Sequence, residues 1–440
     1  MDSSIKLNEL TTMAKSYADA IRILSEHSRQ DLQSLDVIHV TGTKGKGSTC
    51  AFTDSLLRSH FQRKQTPFKV GLYTSPHLLT ECERIRINFE PISEDSFARY
   101  FFEIWEKLQQ STVPFKPGYL QLLTLLSLHI FRKEGVQVAI YEVHAGGRYD
   151  ATNVFDAPIV CGFTKIGLDH VPMLGSNVKE IAWNKSGIMK AERPSYSVRQ
   201  DEEVEIVLQE EAVRIRSPLS FVNDKDTPFI SDISVPAQRS NASLAVELAN
   251  AYLARTGDYL TAGDIASGIS QFHWPGRFHT ISTNHNQWYL DLAHNETSIP
   301  IALDWFQRAS NHEGQEGSAS EARVLIFGNP AGRDAAKLMD QIIKFCEERK
   351  FWLDTVILTA YERRIDGSKV FDGNIAQMHI RAWHTSFQRT TVMLSDSPQQ
   401  ALNMAQHVSI STRTLIIGSS HLISNALRLL QEIKGKNPAQ

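Results

Sequence analysis

A short apolar run, Val37-Ile38-His39-Val40, leads directly into Thr41-Gly42-Thr43-Lys44-Gly45-Lys46-Gly47-Ser48, and a helix-forming stretch over 49–60 follows. Strand, glycine-rich turn and helix in that order limit the possible folds more than any other feature of the chain. Glycines let backbone N–H groups converge, and a helix N-terminus adds positive partial charge, so the turn is predicted to cradle phosphate. Lys46 is placed to reach the outer phosphates and Ser48 to face Mg²⁺. Gly47 separates this lysine from the serine, unlike the common G-x-x-x-x-G-K-[ST] spacing. A purely structural glycine turn is the alternative reading.

Along the 440 residues, apolar β-branched runs alternate with helical patterns, which predicts an α/β fold with a mostly parallel sheet. Strands are expected over 37–40, 70–74, 136–142 and 159–164, and helices over 93–108, 120–133, 178–188 and 237–255. His273-Trp274-Pro275-Gly276-Arg277 breaks the pattern, and a second α/β series follows with strands over 288–290, 324–327, 355–358 and 415–417. The boundary is therefore placed near Trp274, and the polar residues 310–321 are expected to form a mobile surface loop.

A net charge of −3 gives no basic excess for nucleic acid, and no apolar run reaches the ~18 residues a bilayer span needs. The N-terminus mixes Asp2, Lys6 and Glu9 and lacks both a secretory core and an arginine-rich presequence. Four scattered cysteines without a C-x-x-C read as reduced thiols, so the cytoplasm is the expected compartment, with a mitochondrial form as the alternative.

Several polar residues fall at strand ends, where parallel α/β sheets gather their functional groups. Glu142 closes Val138-Ala139-Ile140-Tyr141, as an acidic Mg²⁺ ligand or as a solvated strand end. Gly146-Gly147-Arg148 follows as a second turn suited to close backbone approach. Ser75 in Thr74-Ser75-Pro76-His77 offers a hydroxyl ligand or simply a Ser-Pro turn. His170, in Gly167-Leu168-Asp169-His170, reads as a metal ligand or a loop histidine. Lys185, among apolar residues, is either a snorkelling surface lysine or, carbamylated by CO₂, an oxygen ligand for Mg²⁺. In the second half Asp291-Leu292-Ala293-His294-Asn295, Gly328-Asn329-Pro330-Ala331-Gly332-Arg333-Asp334 and Gly418-Ser419-Ser420-His421 each follow a strand. They are expected to line one face.

Taken in order, these blocks resemble the folylpolyglutamate synthases of the ATP-dependent Mur-type ligases. The resemblance runs from 16–21 to 418–422 and includes Glu83-Arg84-Ile85-Arg86-Ile87-Asn88 and the blocks 142–153, 181–190 and 274–277. It implies the Mur ligase architecture: an N-terminal P-loop ATP-binding domain, 1–273, and a smaller C-terminal Rossmann-like glutamate-ligase domain, 274–440. Gly42, Thr43, Gly45, Lys46, Gly47 and Ser48 would hold ATP, with Asn241, Arg277 and Asp291 contacting the nucleotide. Ser75 and Glu142 would hold one Mg²⁺, and Glu142, His170 and a carbamylated Lys185 a second; K⁺ is also admitted. Lys46, Lys185 and His294 would serve catalysis. Arg148, Asp150 and Ala151 would bound the pterin-bearing substrate, and Ser419 and His421 the incoming glutamate. The implied partners are folate, L-glutamate and ATP, with no nucleic acid and no membrane, acting on a monomer.

The implied reaction transfers the γ-phosphoryl group of ATP to the γ-carboxylate of a tetrahydrofolate (poly)glutamate, and the glutamate amine attacks the acyl phosphate. Closure of the C-terminal domain would bring amine and acyl phosphate together without water. Four positions depart from the family pattern: His144 stands in place of a glycine before Gly146-Gly147, and Lys44 and Cys82 differ from other branches. Gly332-Arg333-Asp334 is one acid short of the usual run. These departures leave a ligase for another acid, dihydropteroate or a specialised metabolite, as the alternative, and a silent ATP- or folate-binding homologue as a third reading.

Overall fold

The computed structural model describes residues 35–110, 117–223, 229–283, 286–311, 321–328, 335–362 and 369–436. The start of the family-like pattern at 16–21, residues 312–320 of the expected polar loop and residues 329–334 of the turn after Gly328 lie outside them. The chain divides into two units, Met1–Phe272 and His273–Gln440.

The first unit holds one sheet: β1 (Asp36–Thr41), β2 (Val70–Tyr73), β3 (Ile85–Ile87), β4 (Glu90–Pro91), β5 (Val138–Glu142), β6 (Val160–Phe163), β7 (Ser195–Val198) and β8 (Leu219–Val222). The order is β4-β3-β2-β5-β1-β6-β7-β8. From β2 to β8 every pairing is parallel, and β3 and β4 are added antiparallel. The central strands are apolar and buried along their length, as a parallel sheet covered on both faces requires. One core joins Tyr73, Phe131, Tyr141 and Phe155 with the helices Glu94–Gln110 and Tyr119–Lys133. Another joins Phe163, Ile181, Met189 and Leu208.

Helix α1 (Lys46–Lys64) begins three residues before the expected start and continues past the expected end at 60. It carries no apolar stripe because nearly all of it is enclosed: Thr49, Thr53, Ser55 and Ser59 are buried together with Leu56 and Leu57. The Thr53 hydroxyl donates to the Thr49 carbonyl at 2.9 Å and the Ser55 hydroxyl to the Gly268 carbonyl at 2.8 Å, so these two hydroxyls are satisfied inside the core. Around the site lie α2 (Val178–Ser186), α3 (Pro236–Leu253) and α4 (Ala262–Ser270), of which α3 and α4 pack on α1.

The second unit contains β9 (His279–Thr283), β10 (Asn286–Leu290), β11 (Ala322–Phe327), β12 (Thr355–Thr359), β13 (Tyr361–Glu362), β14 (Lys369–Val370), β15 (Thr391–Ser395) and β16 (Thr412–Ile417). The main sheet runs β15-β12-β11-β16-β10-β9, parallel except for β9, and β13 pairs with β14 separately. Ser310, expected at the start of the polar loop, instead lies in the helix Ile299–Asn311. Its hydroxyl donates to the Gln307 carbonyl at 3.2 Å, closing the last turn.

Candidate active site

β1 lies between β5 and β6, so the turn that follows it opens where three parallel strands end. Gly42 (φ 147°) and Gly45 (φ 90°) both take left-handed backbone conformations. A Cβ at Gly45 would collide with the Asn241 carboxamide, and one at Gly42 with the Thr164 hydroxyl. No side chain fits at either place. Gly45 is the N-cap of α1, and the first helical hydrogen bond runs from Thr49 N–H to Gly45 O at 2.8 Å. The amides of Lys46, Gly47 and Ser48 are therefore first-turn donors that no intrahelical carbonyl reaches. Thr43 anchors the turn from the other side, its N–H on Lys165 O (2.9 Å) and its hydroxyl on Gly167 O (3.0 Å). Gln238 Nε2 lies 3.5 Å from the buried Ser48 Oγ, and Asn241 Nδ2 donates to Gln238 Oε1 at 3.2 Å, so α3 backs the cradle.

Two lysines converge on this turn. Lys46 Nζ donates to Gly42 O at 3.1 Å, and Lys185 Nζ, from α2, donates to the same carbonyl at 2.8 Å. Lys185 is only 2% exposed. Burial and then the neighbouring Lys46 charge push its ammonium down to about 7. Glu142 is 4% exposed at the end of β5, and its Oε2 accepts the Ser75 N–H at 2.9 Å. Ser75 and Glu142 are thus brought together. His170 is an N-cap residue with positive φ whose side chain is 54% exposed, with Nε2 3.7 Å from Asp169 Oδ2. Among the described residues no group of three or more His, Cys, Asp or Glu side chains is gathered to hold a metal.

The turn after β5 is locked by partners that sequence reasoning did not single out. Thr41 Oγ1 donates to Gly146 O at 2.5 Å, and Asn184 Oδ1 accepts the Gly147 N–H at 3.1 Å. Neither residue carries a motif signal beyond lying next to Gly42 or Lys185. His144 is held between the Tyr73 hydroxyl, 2.8 Å from Nε2, and Asp150 Oδ1, 3.3 Å from Nδ1. Burial by itself would raise the Asp150 carboxyl, but His144 and the N–H groups of Ala145 and Thr152 outweigh it and hold the group well below the usual range. Thr152 Oγ1 links Asp150 (2.7 Å) to the buried His39 (2.9 Å). Arg148, expected at the substrate, donates to Glu211 Oε2 at 2.7 Å and stacks over Trp183 at 4.0 Å, and Ala151 is half-buried in the same turn.

In the second unit, β10, β16 and β11 are neighbours, so the turns after them lie side by side. Gly418 N–H donates to Ala293 O at 2.8 Å and Gly328 N–H to Ile417 O at 3.3 Å. The buried Asp291 accepts Phe278 N–H at 3.0 Å and Ala293 N–H at 2.9 Å, which holds the segment carrying Arg277 against the end of β10. Arg277 lies over Trp274 at 5.5 Å. His294 Nδ1 is 2.6 Å from Leu292 O, Ser419 is buried, and His421 stacks on Tyr361 at 6.3 Å.

No family model matches the chain. A folylpolyglutamate synthase of Neurospora crassa is 35% identical over 445 residues, covering 92% of this chain and 83% of that relative. The mitochondrial folylpolyglutamate synthase of Bos taurus is 36% identical, covering 72% of this chain and 59% of that protein. Among solved structures, the apo form of L. casei FPGS superposes with a TM-score of 0.74 at 25% identity, covering 95% of each chain. The bifunctional folylpolyglutamate synthase/dihydrofolate synthase of Yersinia pestis, complexed with AMPPNP and Mn ion, has a TM-score of 0.72 at 21% identity and covers 94% of this chain and 93% of that one. The chain belongs to the folylpolyglutamate synthase family.

Proposed function

We propose that this protein is an ATP-dependent amide ligase that adds L-glutamate to the γ-carboxylate of tetrahydrofolate (poly)glutamates, giving ADP and phosphate. The observation that carries this reading is the convergence of Lys46 and Lys185 on the turn at the end of β1, beside the Ser75–Glu142 pair. The first unit is the ATP-binding ligase domain and the second the glutamate-ligating domain.

A carboxylate is a poor electrophile until phosphorylated, and phosphoryl transfer depends on positioning and charge neutralisation more than on covalent chemistry. The first-turn amides of α1 and the Lys46 ammonium bind and neutralise phosphate oxygens. Gly42 and Gly45 let the backbone approach them, and Asn241 stands behind Gly45. In the second unit Arg277 and Asp291 contact the nucleotide, His294 serves the transfer, and Ser419 and His421 hold the incoming glutamate. Arg148, Asp150 and Ala151 shape the wall for the acceptor.

The Ser75 hydroxyl and Glu142 carboxylate form an oxygen set that suits Mg²⁺, which takes one or two carboxylates and leaves the rest of its shell to water and phosphate. A second Mg²⁺ is assigned to Glu142, His170 and Lys185. Bound there, the ions stabilise charge on the transferring group. Lys185 supports the carbamate assignment because its buried amine has one carbonyl partner and a second cation beside it. A carbamate reverses that charge. We place the enzyme in the cytoplasm as a monomer, and no described helix is long and apolar enough to cross a membrane.

The test is ATP- and Mg²⁺-dependent ligation of labelled L-glutamate onto tetrahydrofolate, with products resolved by mass. A ladder of additions is expected. ATP binding without incorporation would instead point to a ligase for a different acid, dihydropteroate being the first to try.

A further inference from the structure

Arg84 is a buried cation whose charge no described residue neutralises. It is 6% exposed, yet it forms no ion pair among the described residues, and its Nη1 has no hydrogen-bond partner. Its one side-chain hydrogen bond runs from Nε to His77 Nδ1 at 2.8 Å, and its guanidinium lies 5.7 Å from the centre of the Tyr119 ring, which is 55% exposed. The neighbouring carboxylates are already engaged. Glu83 accepts the N–H groups of Leu78, Leu79 and Thr80, and Glu81 lies 3.4 Å from His77. Arg86, two residues on, shows the contrast: it is used up internally on the carbonyls of Glu83 and Phe89.

A desolvated guanidinium with an open arm costs folding free energy unless a ligand completes it, and a planar carboxylate matches its fork. The position of Arg84 indicates which carboxylate. The Arg84 carbonyl accepts the Thr74 N–H at 3.0 Å, and Tyr73 pairs with Ile85, so Arg84 sits at the C-terminal end of β2 next to Ser75. Ser75 in turn bonds Glu142. An acceptor ending in glutamate, with its γ-carboxyl at Ser75 and Glu142, carries its α-carboxylate a short carbon chain away.

We propose that Arg84, backed by His77 and Tyr119, clamps the α-carboxylate of the acceptor's terminal glutamyl residue. This rests on the ligase reading above and deepens it: the clamp selects acceptors that already end in an amino acid over acids that lack this group.

The experiment compares tetrahydrofolate with its α-carboxamide analogue in the wild type and in Arg84→Ala and Arg84→Lys. The wild type is expected to show a KM roughly tenfold or more higher for the amide. Arg84→Ala should raise KM for the acid by a similar factor, leave KM for the amide and for L-glutamate unchanged and keep ADP affinity. Arg84→Lys should fall between, retaining charge but not the fork. Equal losses on both acceptors, an unchanged KM for the acid, or a rise confined to L-glutamate overturns the proposal. Should Arg84→Ala not fold, a wild type indifferent to the amide overturns it equally. A wild type that ligates nothing onto tetrahydrofolate sinks the ligase reading instead. Equilibrium binding of pteroylglutamate against its α-amide then still reads the clamp, and equal affinities reject it.

Discussion

Lys46 and Lys185 donate to one carbonyl oxygen, that of Gly42, although they are far apart in sequence and arrive from different helices. Two lysines on one turn have different jobs. Lys46, half-buried, is available to phosphate, whereas Lys185 is sealed in. Lys46→Met is expected to reduce kcat by roughly a hundredfold or more, the range seen when a preorganised charge at a transferring group is removed, with thermal stability nearly unchanged. Lys185→Ala should abolish turnover in a folded protein, and added acetate or propionate should restore part of it if the missing group is a carbamate. Rescue by alkylamines instead would show that the free amine is the working form.

Gly45→Ala puts a methyl group against Asn241 at a backbone angle that alanine resists. A loss of about 1–3 kcal/mol in stability is expected from the strained conformation alone. ADP affinity should fall at the same time, because the first turn of α1 shifts. Calorimetric titration with ADP checks this, and unchanged affinity would detach the turn from nucleotide binding.

Tyr73→Phe removes the hydroxyl that faces His144 and leaves a nearly buried ring nitrogen without that partner. The expected cost is about 1–3 kcal/mol by denaturant unfolding. Because His144 also leans on Asp150, KM for tetrahydrofolate should rise while KM for ATP stays constant. An equal rise in both would mean that the network supports the sheet generally and not the acceptor wall.

Asp264 ties α4 to α1: its carboxylate receives Arg63 at 2.6 and 3.0 Å, His60 at 3.1 Å and the Thr261 N–H at 2.9 Å. Burial acts to raise this carboxyl, but the bonds from Arg63, Thr261 and His60 prevail and hold it well below its ordinary value. A carboxyl depressed in the folded state stabilises fully above its unfolded pKa of about 3.9 and loses that contribution as pH falls further. Asp264→Asn should therefore cost about 1–3 kcal/mol at pH 7, as for lost hydrogen bonds to a charged group whose cationic partner is partly exposed. The gap to the wild type should narrow below about pH 4. Melting curves at both pH values decide it, and a constant gap would remove the charge from the explanation.

How much of this could be read in advance varies from element to element. The expected helices over 93–108 and 120–133 are present with slightly shifted ends, since an amphipathic stripe or an apolar run is a local signal. The antiparallel β3, β4 and β9 were not expected, because short strands at or next to a sheet edge carry little pattern of their own. The resemblance implies a substrate role for Arg148, and no local pattern indicates that its guanidinium is held by Glu211, a partner on a distant helix. Arg84 lies in the family-like run 83–88, yet nothing in its sequence neighbours indicates that it is buried with no carboxylate paired to it among the described residues.

What the sequence determined by itself was the local grammar: a strand, a glycine turn and a helix in series around Lys46, a break in the element pattern at Trp274-Pro275-Gly276, and a succession of polar residues at strand ends. These follow from backbone freedom, propensity and periodicity, all of which act over a few residues. The tertiary structure alone decided which of those ends meet. Placing β1 between β5 and β6 brings Lys185 onto Gly42, and pairing β2 with β5 lets Ser75 reach Glu142. Burial and hydrogen-bond satisfaction are collective properties of the packed sheet, so no single segment carries them.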